Sequence, residues 1–60
     1  MPKSGFEVLK LYRQAGWVVV RQRGSHVRVK KGPHFETIPM HRELKKGLER
    51  ALLKRLEETT

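Results

Sequence analysis

A strictly alternating segment, His26-Val27-Arg28-Val29-Lys30, constrains the fold of this chain more than any other feature. In a β-strand, this order places Val27 and Val29 on one face and the histidine and the two cations on the other. Turn signals stand on both sides of the segment, Gly24-Ser25 before it and Lys31-Gly32-Pro33 after it. The segment therefore predicts a strand of a small antiparallel sheet that needs apolar cover on one face only.

A helix is predicted on each side of this central region. Ser4 and Glu7 have the spacing of a capping box, an apolar helical face follows them, and Gly16 is a natural C-terminal stop. The last segment is again helical, with a start near Gly47, because apolar residues recur in it at intervals of three and four. These residues are Leu44, Leu48, Ala51, Leu52 and Leu56, and the opposite side is available to Lys45, Lys46, Arg50, Lys54 and Arg55.

Two more strands complete the predicted sheet. The aromatic and β-branched run at residues 17–20 predicts a strand that continues through residues 21–23 into solvent. Residues 34–38 predict another strand, which Pro39 closes. The order α-β-β-β-α fits an α+β fold in which a three-stranded antiparallel sheet carries both helices on one face. Tyr12 and Trp17 are expected in the core, and the other sheet face is expected to stay open and carry cations.

Only one small domain, residues 1–60, is expected from a chain of this length. Such a domain buries only about 60% of its unfolded surface, and 37% hydrophobic residues supply one thin core. Because the chain has no cysteine, neither a disulfide nor a thiolate metal site reinforces that core. The three histidines lack an obvious ligand spacing, so no metal site or cofactor is predicted. The absence of an apolar run of ~20 residues or of a signal peptide predicts a soluble cytoplasmic protein that does not bind membranes.

The positive charge of the chain is large and unevenly placed. Fourteen Lys and Arg residues oppose six acidic residues, which leaves a net charge of +8. No acidic residue stands between Glu7 and Glu36, an interval that holds Lys10, Arg13, Arg21, Arg23, Arg28, Lys30 and Lys31. Solubilising surface charge is the alternative explanation for such a run. The local imbalance favours a polyanion, and nucleic acid in particular, as the partner.

Three segments, in order, resemble a known family over nearly the whole chain. They are Gly-Trp-Val-Val-Val-Arg-Gln-Arg-Gly-Ser-His at 16–26, Ile-Pro-Met-His at 38–41, and Glu-Leu-Lys-Lys-Gly-Leu at 43–48. Together they resemble the HicA family of toxins from bacterial and archaeal toxin–antitoxin pairs. The resemblance implies a fold like that of double-stranded RNA-binding domains. It also implies activity as an mRNA interferase, an endoribonuclease that stops translation by cutting messages.

The resemblance also implies roles for individual residues and for a partner. The catalytic histidine of the family corresponds to His26, and Gly24 matches a position that lets RNA approach the turn. The implied partners are messenger RNA and a HicB-type antitoxin, which covers the RNA-binding surface of the toxin. Because the Gly-Ser-His triplet is intact, the resemblance implies a histidine-dependent activity in this chain.

The chemistry of His26 agrees with this implication. The ribose 2′-hydroxyl of RNA attacks the adjacent phosphate once a base removes its proton and an acid assists the leaving oxygen. Imidazole, with an unperturbed pKa of about 6.5, suits either role near neutrality. A guanidinium such as that of Arg23 or Arg28 is able to stabilise the charge that accumulates on the phosphorane. The alternative for an isolated histidine at the start of a strand is a surface or turn residue.

The predicted RNA-binding residues lie in two regions. The turn and the strands around His26 supply Arg21, Arg23, Gly24, Ser25, Arg28, Lys30 and Lys31. Lys45 and Lys46 are added because free backbone N–H groups at the start of a helix favour phosphate, although a solubilising role explains these lysines equally well. His34 is expected to be solvated in a loop. For His41, contact with phosphate or a partner and stabilisation of a turn both remain open.

Two other function classes remain open at this point. A noncatalytic RNA-binding module of the same fold would keep its salt-dependent RNA affinity without His26. An interaction domain whose basic surface binds an acidic protein would show no RNA affinity at moderate salt. The ribonuclease differs from both because it requires His26 for RNA cleavage.

Overall fold

The computed structural model describes residues 3–59 and contains, in that range, five elements in the predicted α-β-β-β-α order. They are α1 (Gly5–Gln14), β1 (Val18–Arg23), β2 (His26–Lys31), β3 (His34–Pro39) and α2 (Lys46–Glu58). The strands form one antiparallel sheet in the order β1-β2-β3. The predicted α+β class is confirmed. Neither helix of the described range is long and apolar enough to cross a membrane.

Local sequence signals determine both ends of α1. The Ser4 hydroxyl accepts a hydrogen bond from the Glu7 backbone N–H at 3.1 Å, and the Glu7 carboxylate accepts one from the Ser4 N–H at 3.0 Å. This confirms the predicted capping box, and the hydrogen bonds to Ser4 hold the pKa of the Glu7 carboxyl below its ordinary value. At the other end, Gly16 has a φ of 99°, which a residue with a side chain rarely adopts. Gly16 therefore ends the helix, as predicted.

The core lies between the sheet and the helices. Tyr12 and Trp17 are buried as predicted, with their rings in an edge-to-face contact at 4.9 Å between centroids. The Tyr12 hydroxyl donates a hydrogen bond of 2.6 Å to the carbonyl of Leu52, which links α1 to α2. Burial raises the pKa of this hydroxyl to about 12. The other buried apolar residues are Val8, Val27, Val29, Ile38, Leu44 and Leu52.

The predicted core face of α2 is partly wrong. Leu52 is buried and Leu56 is half-buried, but Leu48 is 38% exposed and Ala51 is also exposed. Consecutive residues of a helix are about 100° apart, so a thin core covers only a narrow stripe of α2, centred between Leu52 and Leu56. Leu48 and Ala51 lie at the edge of that stripe or beyond it. The start of α2 at Lys46 is one residue before the expected position.

β1 is an edge strand whose six residues are all exposed. It starts at Val18, one residue later than predicted, and Trp17 is buried just before it. A β-bulge lies between Val19, which pairs with Val29, and Arg21, which pairs with Arg28. The extra residue at the bulge inverts the alternation of β1. Odd-numbered residues face the helices before the bulge and the opposite side of the sheet after it.

Candidate active site and nucleic-acid interface

The sheet face that points away from the helices is basic, and we call it the open face. His26, Arg28 and Lys30 project from it because Val27 and Val29, which alternate with them, are buried on the other side. The register pairs Arg21 with Arg28 and Arg23 with His26, and directly opposite residues share a face. The structure therefore brings together His26 and four of the predicted RNA-binding cations, namely Arg21, Arg23, Arg28 and Lys30.

A small pocket surrounds His26 on the open face. Its volume is about 160 Å³, and Arg21, Arg23, His26, Arg28 and Thr37 line it. The Arg28 guanidinium donates a hydrogen bond of 3.2 Å to the Thr37 hydroxyl, which orients the guanidinium across β2 and β3. Guanidinium groups match phosphate oxygens in charge and in geometry. A pocket with three of them and one imidazole suits a phosphodiester.

The turn before His26 is shaped by its glycine. Gly24 has a φ of 57°, and a Cβ added to it would meet nothing within 4 Å. The glycine is therefore required for the backbone conformation of the turn rather than for packing, and the space above it is open. The next residue, Ser25, accepts a hydrogen bond of 2.6 Å through its carbonyl from the Met40 N–H. This bond holds the start of β2 against the segment that follows β3.

A second histidine, His41, lies beside His26. Their ring centroids are 6.5 Å apart, with 58° between the ring planes, and both residues are exposed. The proximity follows from the register, because His26 pairs with Pro39 and His41 comes two residues later. The sequence alone leaves two roles open for His41, contact with phosphate or a partner and stabilisation of a turn. The proximity of His41 to His26 could have been predicted from antiparallel pairing of β2 with β3, because this pairing brings the segment after β3 next to the start of β2.

Lys31 is the predicted RNA-binding residue that the structure separates from the open face. The alternation of β2 places it on the helix side, and its ammonium group donates hydrogen bonds to the carbonyls of Ala15 at 2.7 Å and Thr59 at 3.2 Å. These carbonyls lie at the C-terminal ends of α1 and α2, where a cation is electrostatically favoured. Lys31 is therefore half-buried and ties both helices to the sheet.

Lys45 and Lys46 lie at the N-terminus of α2. Lys45 is the N-cap residue, Lys46 is the first helical residue, and both side chains are exposed. A hydrogen bond of 3.0 Å from the Leu44 N–H to the Lys3 carbonyl joins this region to the segment before α1. Neither lysine lines the pocket around His26. The two lysines form a separate positive region, a few residues after His41 in the chain.

His34 lies in a strand, as the predicted strand at residues 34–38 requires, and the other expectation, that His34 is solvated in a loop, is wrong. His34 is the first residue of β3, pairs with Lys31 and is half-buried on the helix side. Its ring centroid lies 6.5 Å from that of Trp17, and its Nδ1 lies 3.4 Å from the Arg55 guanidinium. The strand begins one residue after Pro33, so His34 takes part in the alternation that also buries Ile38. His34 belongs to the packing between β3 and α2.

Phe35 lies on the open face, and no RNA-binding role was predicted for it from the sequence. It is 43% exposed, and the Arg28 and Lys30 cations lie 4.9 Å and 5.3 Å from its ring centroid. The signal was available in the sequence, since Phe35 is out of phase with Ile38 along β3 and must face away from the core. An exposed aromatic ring between cations is able to stack on an unpaired base.

The fold and the site define a small basic α+β domain with a histidine and arginines in one pocket. Comparison with protein families shows which family this domain belongs to. The family model for the HicA toxin of bacterial toxin-antitoxin systems matches residues 5–57. The chain belongs to the HicA toxin family, as its sequence motifs predicted. Membership implies an antitoxin partner. No curated protein and no solved structure gives a significant match to the chain.

Proposed function

We propose that this protein is an mRNA interferase, an endoribonuclease toxin that cuts messenger RNA with His26 and thereby inhibits translation. The observation that carries the proposal is the position of His26, in one pocket with the guanidinium groups of Arg21, Arg23 and Arg28. Membership of the HicA family supports it, since toxins of that family are in general endoribonucleases. The pocket holds both a proton-transfer group and cations that stabilise a phosphorane.

The cleavage reaction requires only the RNA and groups of this kind. The ribose 2′-oxygen loses its proton and bonds to the adjacent phosphorus, and the bond from phosphorus to the 5′-oxygen of the next nucleotide breaks. That 5′-oxygen takes up a proton, which leaves a 2′,3′-cyclic phosphate on one fragment and a 5′-hydroxyl on the other. His26 transfers a proton in this scheme, and the arginines stabilise the negative charge on the phosphorane oxygens. Neither an external nucleophile nor a metal ion is needed.

In this proposal the open face binds the RNA backbone. Arg21, Arg23, Arg28 and Lys30 contact phosphates, the turn of Gly24 and Ser25 allows close approach, and Lys45 and Lys46 extend the positive surface. Lys31 is omitted from the proposed interface because its ammonium group already donates to the two helix-end carbonyls. Arginine contacts to phosphate position the RNA without reading its sequence.

The direct test is an incubation of the purified protein with messenger RNA, followed by analysis of the fragment ends. We expect fragments with a 2′,3′-cyclic phosphate and a 5′-hydroxyl, formed in the presence of a metal chelator. If the RNA stays intact but remains bound, the protein is the noncatalytic RNA-binding module of the same fold. If the RNA is neither cut nor bound at moderate salt, the basic surface serves another partner.

Charge reversal on the open face tests the proposed RNA contacts. The Arg28→Glu/Lys30→Glu variant is expected to bind RNA at least about tenfold more weakly at 0.1 M salt. The slope of log affinity against log salt should fall by about 1 to 2, because about two phosphate contacts are lost. The matched control, Arg50→Glu/Lys54→Glu, makes the same change in net charge on the exposed side of α2. Equal effects in the two variants would mean that overall charge, not the open face, governs binding.

The implied antitoxin is proposed to be an acidic protein of the HicB type that binds over His26 and residues 21–31. Acidic side chains on that surface would gain electrostatic complementarity and exclude RNA at the same time. Titration of this antitoxin into a complex of RNA with the His26→Ala toxin is therefore expected to release the RNA, measured by fluorescence anisotropy. A stable complex of all three components would place inhibition at another site.

A further inference from the structure

His41 has a position that the proposed function does not yet use. Its imidazole is exposed, and its ring centroid lies 6.5 Å from that of His26. Ring nitrogens at this separation are too far apart for a direct hydrogen bond of about 3 Å between them. The two imidazoles are nevertheless close enough to contact different oxygen atoms of one phosphodiester, because each contact adds a hydrogen bond of about 2.8 Å.

Backbone hydrogen bonds hold together the two segments that carry these histidines. The carbonyl of His41 accepts a hydrogen bond of 2.9 Å from the Gly5 N–H at the start of α1. The residue before it, Met40, donates to the Ser25 carbonyl at 2.6 Å, directly before His26 in the chain. Both histidines are thus held by the same network at one end of the sheet. Preorganised geometry of this kind is what proton transfer at a bound substrate requires.

RNA cleavage requires two proton transfers at separated oxygen atoms. One group must remove the proton from the 2′-hydroxyl, and another must deliver a proton to the departing 5′-oxygen on the far side of the phosphorus. A single imidazole near one oxygen is poorly placed for the other, whereas two imidazoles on either side of the phosphate serve both. After one turnover, the histidine that took a proton is protonated, the one that gave a proton is neutral, and exchange with water restores the pair.

We infer that His41 is a second catalytic residue and that it forms an acid–base pair with His26. The inference rests on the proposed ribonuclease function and adds the second proton-transfer group to it. His41 is expected to touch the reacting oxygen atoms from the segment after β3, while His26 reaches them from the start of β2. The arginines of the pocket hold the phosphate beside His26, and His41 reaches it from outside the residues that line the pocket.

The test compares the His26→Ala and His41→Ala variants on two RNA substrates. One substrate is ordinary RNA, and the other carries sulfur in place of the 5′-oxygen at the cleaved bond. A thiolate leaves without being protonated, so the sulfur substrate bypasses the acid but still needs the base. On ordinary RNA, both variants should be slower than wild type by about 10²- to 10⁴-fold. On the sulfur substrate, one variant should recover most of the wild-type rate and thereby identify the acid, and the other should stay slow.

Controls separate this role from a structural one. His41 holds its place through its backbone carbonyl, so His41→Ala should keep the wild-type circular dichroism spectrum and RNA affinity. His34→Gln, a histidine variant on the helix side of the sheet, should cut RNA at the wild-type rate. A wild-type rate for His41→Ala on ordinary RNA, or a lack of rescue in both variants, would overturn the acid–base pair. If the wild-type protein itself fails to cut RNA, the proposed function fails instead.

Discussion

Replacement of His26 by alanine is expected to reduce RNA cleavage by about 10²- to 10⁴-fold, the usual contribution of a proton-transfer group. Growth arrest on induced expression should disappear with it. The imidazole lines the pocket together with three arginines, and these remain in the variant to bind the phosphate. Binding and catalysis should therefore separate, with RNA affinity within about threefold of wild type and the cleavage rate near background. Gel-based cleavage rates and growth curves measure the two effects.

The fold of the variant should be intact because the His26 side chain is exposed and its loss leaves no cavity in the core. Circular dichroism and thermal melting check this directly. Full toxicity in a folded His26→Ala variant would remove His26 from the mechanism. Unchanged toxicity without RNA cleavage by either protein would point instead to the third function class, an acidic protein partner.

Local signals in the sequence predicted the elements and the class of the fold. The capping box of Ser4 and Glu7, the positive φ of Gly16 and the alternation around Val27 each depend on residues close together in the chain. Such local preferences do not depend on tertiary packing, and they are kept in the folded protein because the tertiary contacts agree with them. The placement of His26 and Arg28 on one solvent-facing side followed from the same alternation.

Features that depend on strand pairing were not predictable in this way. The bulge after Val19 reverses the alternation of β1 and places Arg21 on the open face, although simple alternation would have put it on the same side as Val19. A bulge is a property of two paired strands, and neither strand specifies it alone. The contact between His26 and His41 likewise follows from the register of β2 with β3.

Tertiary contacts explain the remaining differences. In the sequence, Lys31 is one more cation of a basic run. In the fold, its ammonium group donates hydrogen bonds to carbonyls at the C-terminal ends of both helices. Which face of α2 is buried depends on how the helix packs on a narrow core. The spacing of its leucines is compatible with two orientations of the helix about its axis that differ by about one residue, so the spacing alone did not specify the buried face. In both cases the residue type is common both at the surface and in the packed interior, and contacts with residues distant in sequence determine which of the two it adopts.

Gly5→Ala is expected to have the largest effect on stability of the five Gly→Ala substitutions in this chain. Gly5 is the buried first residue of α1, where a Cβ would collide with the carbonyl oxygen of Pro39 and lie 2.9 Å from the Met40 Cα. Both atoms belong to the backbone, so no side-chain rotation relieves the contact. α1 must move away from the end of β3, which stretches the hydrogen bond from the Gly5 N–H to the His41 carbonyl.

The energetic consequence is severe for a domain of this size. Overpacking costs about 1–3 kcal/mol, and a lost hydrogen bond adds about 1 kcal/mol. Against this stands a total stability of roughly 3–9 kcal/mol for 60 residues. A loss near 3 kcal/mol corresponds to a fall of about 12 to 24 °C in Tm for a small domain. Thermal and urea unfolding followed by circular dichroism measure both quantities.

Gly47→Ala is the matched control, because Gly47 is also in the first turn of a helix but a Cβ there meets nothing within 4 Å. That substitution should leave Tm unchanged or raise stability by about 0.4–1 kcal/mol, through a less flexible unfolded chain. A wild-type Tm for Gly5→Ala would show that α1 moves without cost. Under the proposed acid–base pair, any Gly5→Ala protein that remains folded should also cut RNA more slowly, since the bond from Gly5 to the His41 carbonyl is one of the two backbone hydrogen bonds that hold the segment of that histidine.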